Sequence, residues 1–409
     1  MKCRHCGAEI SLTLIDLGSA PPSNAYLTKL TLKRPEKWFP LKVMVCESCW
    51  LVQAEAYSRA PELFNDEYAY FSSFSDLWLK HASDYVEAMV NRFGLDCESY
   101  VVEVASNDGY LLQYVKRRGI PCLGIEPTAG TATVARQKGI ETIGEFFDYS
   151  QATSLASQGR QADLMAANNV LAHVPDINDF VRGFTVLLKP HGVATFEFPH
   201  LINLIEQKQF DTIYHEHFSY LSFTTVCRIL TANGLSVFDV EEFQTHGGSL
   251  RVFAQRTDAG RQPISANVAK LVTREAAAGM QNSAYYQGFQ EQANRVKNDI
   301  LTFLLEARHQ GKSVAAYGAA AKGNTLMNYA GIRPDLIPFI ADRNPGKQGK
   351  FMPGSRIPIV SEKHLQTTRP AYIVIIPWNI RAEIMEQLSY VREWGGKFVV
   401  TIPELRVMS

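Results

Sequence analysis

Residues 100–119 read "YVVEVASNDGYLLQYVKRRG". The run 101–105 is apolar and β-branched apart from one acid, Glu103. A polar turn, Ser106-Asn107-Asp108-Gly109, follows it, and then a helical pattern that stops at Gly119. Strand, tight turn and helix in this order form the first unit of a doubly wound sheet. The pattern repeats outward. "PCLGIEP" at 121–127 is a second short strand that ends in Glu126. "ADLMAANNVLAHVPD" at 162–176 is a strand running into a loop, and "PHGVATFEFP" at 190–199 is a turn and a further strand. Strands alternating with helices predict a parallel α/β sheet of the Rossmann type.

In such a sheet a ligand sits at the carboxyl ends of the strands. The first turn has one glycine, Gly109, where a dinucleotide fingerprint has three. That counts against NAD and FAD and suits a cofactor with no pyrophosphate to cradle, of which S-adenosylmethionine is one. Ser106, Asn107 and Gly109 then form the turn near its methionine part. Glu126 lies 23 residues after Glu103, at a strand end where a carboxylate accepts both ribose hydroxyls. Glu103 is a carboxylate inside a buried strand and needs a partner, which a cofactor group or a turn amide supplies. Asn168 and Asn169 end the next strand, where one caps the following turn and the other faces the cofactor.

The 409 residues suffice for two or three domains. Lys+Arg and Asp+Glu are equal at 41 each, so the chain lacks the basic field of a non-specific nucleic-acid binder. No apolar run is long enough for a membrane span, and "MKCRHCGAEI" lacks the apolar core of a secretory signal. The cytoplasm is the expected compartment. There, paired cysteines point to metal before disulfide. Cys3 and Cys6 form one C-x-x-C pair and Cys46 and Cys49 another, with 39 residues between Cys6 and Cys46. Four thiolates close a tetrahedral zinc site with no open position, so the zinc is expected to be structural.

The stretch "FDTIYHEHFSYLSF" at 210–223 places two histidines, a glutamate and two tyrosines within seven residues. Titrating groups this dense are costly to bury without a reason. Together with the doubled C-x-x-C module and "EVASNDGYLL", this segment resembles the sugar C-methyltransferases that act on carbon 3' of nucleotide-linked 4-keto-6-deoxysugars. The resemblance covers essentially the whole chain, including "YGAAAKGNTLMNY" and "IIPWN". It implies a zinc-binding module over 1–65, a central S-adenosylmethionine-dependent methyltransferase domain over 66–245, and a C-terminal α/β domain over 246–409 that holds the nucleotide sugar. It places the base at His217. Tyr214, Glu216 and His173 match the family's other site positions, with Glu216 orienting or charge-balancing an imidazole and Tyr214 donating to the enolate. His215 points away from the site.

In the last third, "QTHGGSLRVFAQ" at 244–255 has the pair Gly247-Gly248, which permits close approach to a ligand and which the resemblance places beside the sugar. "SVAAYGAAAKGNTLMNYAG" at 313–331 reads as strand, small-residue turn and helix. Its helix N-terminus with Lys322 and Asn324 is an anion site for the diphosphate. Trp378, at the end of "AYIVIIPWN", is a further substrate-side residue. The expected partner is a dTDP- or GDP-linked 4-keto-6-deoxysugar, with no nucleic acid, no membrane and a monomeric enzyme. The rival readings are methylation at carbon 5', an NAD-dependent sugar oxidoreductase built on the last third, and a zinc-clipped binding scaffold.

Overall fold

Three sheets organise the protein, whose computed structural model describes residues 1–57 and 71–409. The boundary expected between residues 65 and 66 lies outside the described residues. The first sheet is an antiparallel meander of β1 (Leu12–Ala20), β2 (Phe39–Val45) and β3 (Val52–Ala54). Its fourth strand, β9 (Ser219–Tyr220), comes from far along the chain and pairs with β3. The histidine-rich segment therefore feeds directly into the N-terminal sheet.

The second sheet contains β4 (Val101–Val104), β5 (Cys122–Ile125), β6 (Thr142–Ile143), β7 (Ala162–Asn168) and β8 (Leu188–Pro199), all parallel. A hairpin of β10 (Leu235–Phe243) and β11 (Ser249–Arg256) extends it antiparallel, in the order β10-β11-β8-β7-β4-β5-β6. The division expected at residue 245 falls inside this hairpin. Backbone pairing of β11 to β8 keeps the two strands in one sheet, so the central unit runs past that point.

The third sheet has β12 (Val314–Tyr317), β13 (Ile340–Ala341), β14 (Ile359–Val360), β15 (Tyr372–Ile375) and β16 (Lys397–Val400) in parallel, with β17 (Arg406–Met408) antiparallel at the edge. The order β14-β13-β12-β15-β16 reverses direction between β12 and β15, the position where such sheets bind ligands. The strands are Val-, Ile- and Ala-rich because helices cover both faces. A long amphipathic helix, Phe289–His309, covers this sheet and buries Ala293, Val296, Ile300 and Leu304.

Two cores tie the N-terminal module to its neighbours. Ile15, Leu17, Val43 and Val45 pack with Ile300, Leu326 and Ile375 of the C-terminal part. Cys3, Cys46 and Leu51 pack with Phe180, Leu221 and Val226 of the central part. No helix among the described residues is long and apolar enough to cross a membrane.

Candidate active site and zinc centre

Cys3, Cys6, Cys46 and Cys49 come together with their sulfur atoms within 4.8 Å of one another. The closest pairs, Cys3–Cys49 and Cys6–Cys46, are 3.6 Å apart. Sulfurs about 2.3 Å from a tetrahedral ion lie roughly 3.8 Å apart, so the set is the right size for zinc. Each C-x-x-C pair sits on a knuckle: Gly7 N–H donates to the Cys3 carbonyl at 3.0 Å and Trp50 N–H to the Cys46 carbonyl at 2.7 Å. Gly7 and Trp50 both take positive φ, 74° and 64°. Gln53 donates to Cys3 Sγ at 3.2 Å. All four positions go to cysteine, so the zinc this module holds is structural.

The turn after β4 is built for close work. Ala105 and Asn107 take φ of 58° and 49° without being glycine, strain of a kind that gathers at ligand sites. At Gly109 φ is 73°, a conformation that strains any other residue, and a Cβ there would also press on Ile140 Cδ1 at 2.4 Å, so the turn favours glycine. Glu126, buried, accepts from Asn107 N–H at 2.9 Å and Thr128 N–H at 2.9 Å, and also from the Thr128 hydroxyl. It is thus fixed at the mouth of the turn. Glu103 is fully buried, and burial pushes its carboxyl well above the usual range, with the Tyr110 hydroxyl acting the other way. Asn168 donates to the Tyr110 hydroxyl at 3.4 Å, and Asn169 N–H donates to the Glu197 carbonyl at 2.7 Å. Ser106 differs from expectation. Its side chain is completely buried against Gly124, where any Cβ would meet Ser106 Oγ at 2.4 Å, so it fills the sheet instead of lining the turn.

The segment expected to carry the chemistry packs on the loop that follows β7, the strand paired with β4. His173 follows β7 in a short 3-10 turn (Leu171–His173), and Phe218 N–H donates to the Ala172 carbonyl at 2.8 Å. The rings of His173 and His217 meet at 4.6 Å between centroids, and those of Tyr214 and His217 at 4.0 Å. His217 Nδ1 faces the Thr212 carbonyl at 2.8 Å, and His173 Nδ1 faces the Glu216 carbonyl at 2.8 Å. A carbonyl only accepts, so each Nδ1 carries the hydrogen, and a neutral ring then has its lone pair on Nε2. Burial lowers the His173 pKa to about 4, which leaves it neutral at pH 7.

Glu216 departs from its expected part. Among the described residues its carboxylate is held by Asn24, whose N–H and Nδ2 donate to Oε1 at 3.4 Å and 3.2 Å. Burial raises it to about 7. The contact with a histidine is made by its backbone carbonyl. His215 does turn elsewhere: its Nε2 lies 3.2 Å from the Phe39 and Pro40 carbonyls of the N-terminal sheet.

The substrate-side set is brought only partly together. At Gly247 and Gly248, φ is 91° and 110°. A Cβ would meet Trp378 at 2.7 Å from Gly247, and Asn203 at 2.3 Å from Gly248. The close approach those glycines permit is therefore to the protein's own side chains. Trp378 is buried, and its indole N–H donates to Asp211 Oδ2 at 2.7 Å. Lys322 lies 4.6 Å over the Trp378 ring and donates to Asn379 Oδ1 at 2.8 Å. Burial lowers its pKa while Asp211 opposes the shift. The lysine is thus not an open anion cradle: its ammonium is already engaged by Trp378 and Asn379. Asn324 is fully buried, and neither polar atom of its side chain has a partner among the described residues. Asp211, Thr325 and Asn24 carry no signal in the sequence, because an acid in a short turn, a threonine on a helix and an asparagine in a loop form no pattern until the domains meet.

Three family models divide the chain among them. A zinc-binding domain matches residues 3–64, a methyltransferase domain residues 78–240, and the C-methyltransferase C-terminal domain residues 244–403. The C-methyltransferase NovU of Streptomyces niveus is 35% identical over 408 residues, which is 100% of this chain and 97% of NovU. A ubiquinone biosynthesis O-methyltransferase of Azorhizobium caulinodans is 28% identical over 116 residues, covering 26% of this chain and 46% of that protein. The solved structure of magnesium protoporphyrin IX methyltransferase from Synechocystis PCC 6803 with bound SAM matches 44% of this chain and 82% of its own, at 17% identity and a TM-score of 0.34. The full-length match is to an enzyme of methyl transfer, not hydride transfer, and the chain belongs to the C-methyltransferase family.

Proposed function

We propose that this methyltransferase moves a methyl group from S-adenosylmethionine to carbon 3' of a nucleotide-diphosphate 4-keto-6-deoxysugar, through an enolate. The observation that carries the reading is the convergence of His217, His173 and Tyr214 at the carboxyl end of the central sheet, with His217 Nδ1 held by the Thr212 carbonyl. A carbon beside a ketone is acidic enough to lose a proton to imidazole if the resulting oxyanion is stabilised. His217 Nε2 takes that proton. Tyr214 donates to the enolate oxygen, and neutral His173 packs against the base and excludes water. The enolate carbon forms a bond to the methyl as the S–CH₃ bond breaks, leaving S-adenosylhomocysteine.

S-adenosylmethionine supplies an electrophilic methyl on a sulfonium. Glu126 holds its ribose hydroxyls, and Asn107, Gly109 and Asn168 shape the rest of its seat, with Glu103 and Asn169 behind. Gly247, Gly248, Asn324, Lys322 and Trp378 belong to the wall between the base loop and the C-terminal domain, where the nucleotide sugar enters. The test is incubation with S-adenosylmethionine and a panel of 4-keto nucleotide sugars. A product heavier by one methylene and labelled at carbon 3' is expected. Methylation at carbon 5', or at oxygen, would replace the reading.

A further inference from the structure

The loop that carries the base is clamped from the C-terminal domain on both sides of one carbonyl. Thr212 O is the group that holds His217 Nδ1, at 2.8 Å. The residue before it, Asp211, is buried and accepts the Trp378 indole N–H at 2.7 Å. The residue after it, Ile213, gives its carbonyl to the Thr325 hydroxyl at 2.7 Å. Lys322, packed on the Trp378 ring and tied to Asn379, completes the clamp with a positive charge attracted to Asp211. Ile213 and Trp378 also belong to one buried hydrophobic cluster, so the clamp is seated in packed surroundings. Together these contacts fix the peptide whose carbonyl sets both the direction of the His217 ring and its tautomer.

We infer that Asp211 is a positioning residue for His217: by anchoring the 211–213 peptide to Trp378 of the C-terminal domain it holds the imidazole as the Nδ1–H tautomer with Nε2 aimed at the substrate carbon. This rests on the reading of His217 as the base. It makes methyl transfer on the central sheet depend on a side chain far from the methyl donor's turn. Proton abstraction is sensitive to ring direction, since a displacement near 1 Å costs on the order of 10²-fold in rate.

The experiment compares Asp211→Ala, Asp211→Asn and Thr325→Val in the full-length, zinc-loaded protein. Asparagine keeps an oxygen for the Trp378 N–H. The expected result is a loss in kcat of about 10²-fold for Asp211→Ala, recovered to within about fivefold by Asp211→Asn. Thr325→Val, nearly isosteric and therefore the safeguard if the alanine variant fails to fold, should lower kcat several-fold. The Michaelis constants for both substrates should stay within about twofold of wild type in all three. Nitrogen-15 NMR of the labelled histidines should show a single His217 tautomer in wild type and Asp211→Asn, and a mixture in Asp211→Ala or Thr325→Val. A rise in Michaelis constant with kcat preserved would make Asp211 a binding residue and overturn the inference. So would an unchanged tautomer together with unchanged kcat in Thr325→Val. Because the tautomer is read without turnover, a mixed tautomer in variants of normal activity would indict His217 as base and not the clamp.

Discussion

The turns after β4 and after β12 share one backbone device and fill it differently. In the central sheet Ala105 N–H donates to the Ile125 carbonyl at 2.8 Å; in the C-terminal sheet Gly318 N–H donates to the Ala341 carbonyl at 2.8 Å. Each second strand is followed by an acid, Glu126 or Asp342. Each acid accepts from the first turn, Asn107 N–H at 2.9 Å or Ala319 N–H at 2.7 Å, and from the amide two residues on, Thr128 at 2.9 Å or Asn344 at 2.7 Å. Beyond that the two diverge. Glu126 is answered by amides and a hydroxyl, in a turn lined by Glu103 and Asn168. Asp342 is answered by Lys347, 3.8 Å away, which also donates to the Ala319 carbonyl at 2.8 Å. Its turn is glycine and alanine, with Pro377 so close that a Cβ at Gly318 would lie 2.5 Å from it. The same topology thus yields a polar seat in one domain and a closed turn in the other. On the proposed reading, side chains, not the sheet, decide which turn takes the methyl donor.

Four experiments break or sharpen that contrast. The largest effect should ignore it altogether. The N-terminal module packs against both domains, and zinc-binding energy is folding energy, on the order of 10–16 kcal/mol in isolated zinc modules. Chelation or Cys49→Ser should therefore lower unfolding stability by several kcal/mol and disturb both turns. Elemental analysis that finds no zinc in protein prepared without chelator would defeat this.

Next in size is the loop between the two turns. His217→Asn should leave both ligands bound, by calorimetry, while turnover falls roughly 10²–10⁴-fold. If it keeps near-normal turnover while Tyr214→Phe or His173→Asn is dead, the base lies elsewhere. Third, Glu126→Ala should weaken S-adenosylmethionine by about 1.5–3 kcal/mol, whereas the matching Asp342→Ala should not change that affinity and should cost about 1 kcal/mol of stability. Equal effects of the two variants on the cofactor would erase the distinction between the turns.

The smallest effect is a pH dependence. Burial raises Asp211 to about 6, against the ordinary aspartate value, with Lys322 pulling the other way. The folded protein keeps a proton that the unfolded chain releases from about pH 4 upward, so stability contributed here falls as pH rises from about 4 to 6 and is level above. The slope should be worth on the order of 2 kcal/mol and be missing in Asp211→Asn, by urea unfolding at pH 4.5 and 7. A wild-type curve parallel to that of the variant would show that Asp211 ionises normally.

The sequence determined the zinc centre, the first turn of the central sheet and the two-sheet α/β plan. These are local: a C-x-x-C knuckle, a strand-turn-helix unit and an alternation of patterns are written in consecutive residues, and short-range backbone geometry enforces them. It also marked the segment 210–223 as a candidate site, since so many titrating groups in one short run are costly to bury without a use. The tertiary structure decided the rest. It gave the carboxylate of Glu216 to Asn24, turned Ser106 into the sheet, kept β11 with the central strands, and set Lys322 and Trp378 against Asp211. Apart from Ser106, which packs on nearby Gly124, each of these is a contact between segments separated by many tens to hundreds of residues. A buried polar group takes whichever partner the packed domains bring within reach, and no window of sequence contains both members of the pair.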